Sequence, residues 1–211
     1  MKAKSLAGYD IFLAVGIAAL LWFFSFSVNY GQFWIKIILS ALCLAGLAVW
    51  FGSRKRFPNF DANAIMLGAA SAAILYLIFW IGGKTSGMIL PFASQQVSGI
   101  YAKVLGPPTW MLVLFLFFIT GPCEEIFWRG YVQDKLMNRL GSWRGWAAAT
   151  LLYAGFHLVT FNFMLIAAAG VAGAFWGLMY MQNRRLAPAI VSHSLWSVFA
   201  FAIIPIMTPG A

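Results

Sequence analysis

The sequence predicts an all-α fold, a polytopic transmembrane helical bundle of about seven spans, with residues 1–211 as a single integral-membrane domain. Three observations predict it. The chain is 63% hydrophobic and only 9% charged, with a mean hydropathy of +0.85, whereas a soluble domain of this size carries about a quarter charged residues. Seven apolar runs follow one another, over 10–28, 33–51, 62–83, 109–128, 145–160, 161–182 and 186–207, most of them near the ~20 residues a spanning helix needs. The cations are distributed asymmetrically between the loops, as membrane topology requires.

The runs can be justified in order. Lys2 and Lys4 precede the first run, which is longer than a signal-peptide core and lacks a clear small-x-small cleavage site after it. It reads as a retained helix. Asn29-Tyr30-Gly31 separates it from the second run, and Arg56-Phe57-Pro58-Asn59 separates the second from the third. Gly106-Pro107-Pro108 precedes the fourth and Gly141-Ser142 the fifth. All four breaks carry turn-forming residues. The fifth run is short and passes almost directly into the sixth. The stretch from Lys84 to Leu105 mixes Gly and Ser with apolar residues, and reads either as a loop or as an interfacial or re-entrant segment.

Orientation follows from the fourteen Lys and Arg residues. With the N-terminus in the cytoplasm and alternating spans, Lys2, Lys4, Arg54, Lys55, Arg56, Lys135, Arg139, Arg144, Arg184 and Arg185 fall inside. Lys36, Lys84 and Lys103 fall on or near the outer face, and Arg129 lies within a span. The positive-inside rule is then satisfied, and an odd number of spans puts the C-terminus outside. The net charge of +9 is accounted for by these loops, so a nucleic-acid partner is not expected. The expected surroundings are the lipid bilayer of a prokaryotic inner or plasma membrane. Cys43 and Cys123 both lie in apolar runs, and no structural disulfide is expected from them.

Glu124, Glu125, His157 and His193 are the only glutamates and histidines in the chain, and all four lie in apolar runs. An ionisable group in hydrocarbon is costly, so such residues mark a candidate site. At a helical rise of 1.5 Å per residue, Glu124 lies roughly 16 Å from Lys135, His157 roughly 20 Å from Arg144 and His193 roughly 12 Å from Arg185. Three helices thus bring polar groups to a shared band near the middle of a ~30 Å hydrocarbon core. Glu124 and Glu125 point about 100° apart. Glu125 and Arg129 stand at i and i+4 in the favourable order for an ion pair and are read as a structural pair, which leaves Glu124 to face a cavity. His193 and Ser197 are also one turn apart and share a face.

The run Glu124-Glu125-Ile126-Phe127-Trp128-Arg129 matches the EExxxR signature of the CAAX-protease and bacteriocin-processing (CPBP) family, glutamic intramembrane endopeptidases related to the Ras-converting CAAX protease. Tyr153 to His157 resembles its FxxxH motif, with Tyr in the first place, and His193 to Ser197 resembles its HxxxN or HxxxD motif, with Ser in the last. The resemblance makes 109–207 the motif-bearing catalytic half and implies a membrane-embedded catalytic cavity. It implies that Glu124, helped by His157, activates the attacking water. His193 would serve as oxyanion donor, with Ser197 as a further oxyanion candidate. It implies no metal, no cofactor and no covalent intermediate. The partner would be a peptide or protein substrate at the membrane, with a CAAX-like, leader or sorting-tail peptide all open. A serine reaches less far than asparagine and offers one donor where the amide offers two.

The residues leave other readings open. One carboxylate and two histidines form a metal-ligand set, as in a metal-dependent membrane protease, although the local spacing of HExxH is missing. Cys123 beside Glu124 is a possible thiol nucleophile, on a different helix face. Intramembrane Glu and His also mark proton-coupled transport, for which repeated halves and interrupted helices are expected and are not visible. A non-catalytic immunity or scaffold protein is the last alternative.

Overall fold

A computed structural model describes residues 9–52, 58–104 and 106–206. These form helices joined by short connections, with no strand among the described residues. Lys2, Lys4, Arg54, Lys55 and Arg56, used above for orientation, lie outside the described residues.

Helices α1 (Tyr9–Phe26) and α2 (Phe33–Phe51) form an antiparallel hairpin around Gly31, whose φ of +78° suits a residue without a Cβ. Helix α3 (Ala62–Ile89) starts at Asp61, whose carboxylate accepts from the Ala64 amide at 2.8 Å, satisfying one of the free N–H groups of the first turn. It runs past the end of the third apolar run and stops before Pro91, where the residue preceding a proline leaves the helical region. The stretch read as a loop or interfacial segment therefore consists of the last turns of α3 and a separate short helix, α4 (Ala93–Val104).

The fourth span is continuous but not uniformly α-helical. It comprises α5 (Thr109–Phe115), a π-helical turn (Leu116–Thr120), α6 (Gly121–Phe127), a second π-helical segment (Trp128–Gln133) and α7 (Asp134–Leu140). Pro122 accounts for the first π turn. Proline has no N–H and crowds the preceding turn of a helix. In the π turn the Gly121 amide bonds to the Leu116 carbonyl, so the Phe117 carbonyl would next bond to position 122, which has no hydrogen to offer. The Ser194 hydroxyl donates to that carbonyl instead, at 2.9 Å.

After Gly141 (φ +83°), helix α8 (Ser142–Phe156) continues into a 3₁₀ turn (His157–Thr160). Helix α9 (Phe163–Asn183) is capped by Asn162, which accepts from the Leu165 amide. Helix α10 (Leu186–Val198) ends in a third π turn (Phe199–Ile203). Six helical stretches are long and apolar enough to cross a membrane. The sequence reading counted about seven; the difference is α8, which has 15 residues. It nonetheless traverses the bundle alongside α1. Asp10 near the start of α1 meets Lys135 and Arg139 just before α8, and Ser27 just after α1 donates to the carbonyl of Val159 just after α8.

Helix α6 occupies the middle, between α2 and α10; α3 packs on α10, and α8 packs on α9. Close approach at these contacts rests on glycine. A Cβ on Gly68 would lie 2.5 Å from the Val191 Cβ, and one on Gly121 would lie 3.0 Å from the Ser194 Cα. The outer surface is apolar, with Phe12, Leu20, Leu39, Met66, Leu77 and Trp110 all exposed, as lipid contact requires. Lys36, Lys84 and Lys103 lie at one end of the bundle, and the described aspartates with most of the described cations gather at the other. There Asp10 contacts Lys135 and Arg139, Asp134 contacts Arg184, and Asp61 contacts Arg185.

Candidate active site

The polar residues that the sequence singles out meet at one cavity of about 430 Å³, lined by Glu124, Tyr153, His157, Trp176, His193 and Ser197 among many apolar side chains. Four helices supply them: α6, α8 with its 3₁₀ turn, α9 and α10. The π segments flanking α6 set the fourth span's register around Glu124 and Glu125, and π turns inside helices are frequent at functional sites.

Glu124 faces the cavity and is nearly buried. Its Oε2 accepts a hydrogen bond from the Tyr153 hydroxyl at 3.0 Å, which leaves Oε1 for a ligand. Tyr153 is the residue whose hydroxyl departs from the family's phenylalanine. The structure makes this hydroxyl the direct partner of Glu124. His157, one turn on, lies with Nδ1 2.8 Å from the Tyr153 carbonyl. A carbonyl only accepts, so Nδ1 carries the hydrogen and Nε2 presents a lone pair. Thr160 in turn donates to the His157 carbonyl at 2.7 Å, and the edges of Trp22 and Tyr153 pack against the imidazole.

Glu125 is fully buried, and its Oε1 accepts from Arg129 Nη1 at 3.0 Å. The pair expected from the i, i+4 spacing is present. Glu125 has a second partner that the sequence reading did not assign, because His193 Nδ1 lies 2.8 Å from the same oxygen. The carboxylate therefore ties α6 to α10 as well as to the next turn of its own span. Oε2 of Glu125 is buried with no hydrogen-bond partner among the described residues. Arg129 also donates to the Gly173 carbonyl at 3.3 Å and lies between the rings of Tyr153 and Trp176, 4.8 and 5.4 Å from their centroids. Stacked aromatic faces are a favourable place for a desolvated guanidinium.

Trp176 was missed from the sequence, where a tryptophan in an apolar run reads as packing or interfacial anchoring. Its ring is nearly parallel to that of His193, with centroids 3.9 Å apart, and its indole N–H donates to Ser192. The stack holds the imidazole in plane while Nδ1 is bound to Glu125. Ser197 is buried one turn further on, lines the same cavity, and has no hydrogen-bond partner among the described residues. The cluster of Glu124, Glu125, Arg129 and His193 is electrically neutral when both carboxylates are ionised and His193 carries two protons.

Chemically, the arrangement offers a carboxylate oxygen, an imidazole lone pair and a hydroxyl donor at one cavity wall, with a second imidazole held by a carboxylate. Among the described residues, no three His, Cys, Asp or Glu side chains stand close enough together to hold a metal ion. Cys43 and Cys123 are both unpaired.

No curated protein and no solved structure matches the chain. One family model, described as Type II CAAX prenyl endopeptidase Rce1-like, matches residues 106–199. That stretch holds all of Glu124, Glu125, Arg129, Tyr153, His157, His193 and Ser197. The part of the chain that builds this cavity wall, residues 106–199, is thus similar to the Rce1-like family of type II CAAX prenyl endopeptidases.

Proposed function

We propose that the chain is a glutamic intramembrane endopeptidase that hydrolyses a peptide bond of a membrane-associated substrate. The observation that carries this reading is the convergence of Glu124, His157 and the pair His193 and Ser197, from three helical elements, on one mostly apolar cavity. Glu124 and His157 hold the attacking water between a carboxylate oxygen and Nε2. The water oxygen bonds to the scissile carbonyl carbon as its proton passes to Glu124. The tetrahedral oxyanion accepts hydrogen bonds from Ser197 Oγ and from His193 Nε2, the latter while the ring carries both protons with Glu125 as counter-charge. The C–N bond then breaks, and Glu124 returns its proton to the leaving amine. Positioned donors at a developing oxyanion are worth about 10²–10³ in rate each.

Glu125 and Arg129 act through His193 and the helix geometry and do not touch the substrate. The chain sits in the membrane with its basic end toward the cytoplasm, as the positive-inside rule directs. The test is a Glu124→Gln variant in native membranes. It is nearly isosteric, keeps an acceptor for Tyr153 and removes the base. Cleavage is expected to vanish while the protein accumulates and folds normally; full activity in Glu124→Gln overturns the mechanism.

A further inference from the structure

The cavity is not centred in the bundle. Its walls come from the ends of the helices farthest from the charged cluster: Trp22 and Phe26 of α1, Phe33 and Trp34 of α2, and the last turns of α3. Helix α4 crosses at that end. Its Val97, Ile100, Tyr101 and Val104 line the cavity, and it is tied down by Trp34 Nε1 donating to the Val104 carbonyl and by the Tyr101 hydroxyl donating to the Ala200 carbonyl. No residue of the charged cluster around Asp10, Asp61, Asp134 and Arg185 takes part in the lining.

The cavity also opens sideways. Ile78 and Gly82 of α3 and Ala167 and Val171 of α9 line it, yet all four are exposed on the outside of the bundle. At this level α3 and α9 scarcely touch, and the small residues Gly82, Gly83, Ala167 and Ala168 leave the gap between them. A wall exposed to lipid on one side and to the active site on the other admits an apolar segment from the bilayer. Among the described residues, no Lys or Arg lines the cavity. The imidazolium of His193 is already balanced by Glu125, so a free C-terminal carboxylate next to the cleaved bond would find no spare counter-charge there, and burying it unpaired is strongly unfavourable.

We infer that the cavity opens toward the non-cytoplasmic leaflet, and that the substrates are membrane-anchored apolar segments of exported proteins rather than short cytoplasmic C-terminal tails. Basic loops stay in the cytoplasm; of the described cations Lys135, Arg139, Arg144, Arg184 and Arg185 lie at the end opposite the cavity, against Lys36, Lys84 and Lys103 at the cavity's end, and the site therefore works on polypeptide that has already crossed the membrane. The substrate class rests on the peptidase reading above; the side on which the cavity opens does not.

Two experiments separate the two. In the first, Gln95→Cys on the exposed face of α4 and Asn138→Cys at the charged end are labelled in separate full-length proteins, with the parent chain's Cys43 and Cys123 as background. A membrane-impermeant maleimide is applied to intact spheroplasts and then to permeabilised ones. Gln95→Cys is expected to label fully before permeabilisation and Asn138→Cys only after it; the reverse pattern overturns the assignment of the open face whatever the protein's activity. In the second, new protein termini in membranes are compared between wild type and Glu124→Gln. Termini that depend on Glu124 are expected beside apolar segments, on the exported side. Termini confined to cytoplasmic tails overturn the substrate class, and the absence of any Glu124-dependent terminus overturns the peptidase reading while leaving the labelling result to stand.

Discussion

Two buried glutamates next to each other have quite different partners. Glu124 meets the cavity and the Tyr153 hydroxyl, while Glu125 gathers Arg129 and His193 on one oxygen. Glu125→Ala strands a buried guanidinium and releases the histidine, and removing one partner of a buried pair typically costs ~3–5 kcal/mol. The expected result is a large fall in thermal stability with loss of cleavage. Glu125→Leu with Arg129→Leu should regain much of the stability but not the activity, since His193 is still untethered. A thermal melt beside a cleavage assay reads both. His193 and Ser197 differ in reach and in charge. His193→Ala is expected to lower the cleavage rate by ~10²–10³ or more, and Ser197→Ala by much less. Ser197→Asn, which restores the amide of the family motif, should be tolerated. Equal losses in His193→Ala and Ser197→Ala would make the serine a principal donor.

At the scale of the element, the fourth span shows how a proline inside an apolar run shapes a site. Pro122 turns the preceding residues into a π turn, and Ser194 of α10 completes the hydrogen bonding of the Phe117 carbonyl. Gly121 allows the contact, since a Cβ there would lie 2.6 Å from the Ser194 Oγ and 3.0 Å from its Cα. Gly121→Ala is therefore expected to push α6 from α10, destabilise the protein and displace His193 from Glu125. Trimming the hydroxyl in a Gly121→Ala, Ser194→Ala double variant should not restore activity, because the backbone of α10 is still in the way. Recovery in that double variant would show that the hydroxyl alone sets the spacing. Ser194→Ala alone leaves a buried carbonyl without its donor, at a cost of about 1–3 kcal/mol.

For the whole molecule, the charged end closes the bundle by joining elements far apart in the chain. Asp61 begins α3, and Arg185 precedes α10; their side chains meet at 2.7 Å. The Ala64 amide, and after it the Arg185 guanidinium, hold the Asp61 carboxyl below its ordinary value of 3.8. A lowered folded-state pKa means that the contribution is complete above the unfolded value and is lost as pH falls through the folded one. The pair should therefore hold α3 to α10 across neutral and mildly acidic pH and weaken only below the ordinary aspartate range. Asp61→Asn keeps a good helix cap but loses the charge, so its melting temperature should show less dependence on pH below about 4 than that of the wild type. An unchanged acid profile in Asp61→Asn would show that this clamp plays no part in acid stability. The clamp is solvent-exposed, so its effect should shrink at high salt.

Composition and run length alone determined that this chain is a helical membrane bundle, because hydrocarbon tolerates no unpaired backbone and leaves a long apolar run little choice but helix. The local spacing of Glu125 and Arg129 was legible for the same reason: i, i+4 geometry is set within one helix turn. The rarity of ionisable residues in apolar runs pointed to Glu124, His157 and His193 and, through the i, i+4 step to Ser197, to the wall they share. Contacts between helices were not legible. Nothing in the spacing shows that His193 binds Glu125, that Trp176 stacks on His193, or that the Tyr153 hydroxyl reaches Glu124, since each depends on how separate helices rotate and approach. The π turns were equally hidden, and they shift the register of every residue beyond them. The 15 residues of α8 read as a seventh span from their apolar character, but only their packing alongside α1 shows that they cross the bundle. The end toward which the cavity opens was likewise decided by tertiary structure, because a cavity is the space that helices fail to fill, and that space is written in no single segment of the chain.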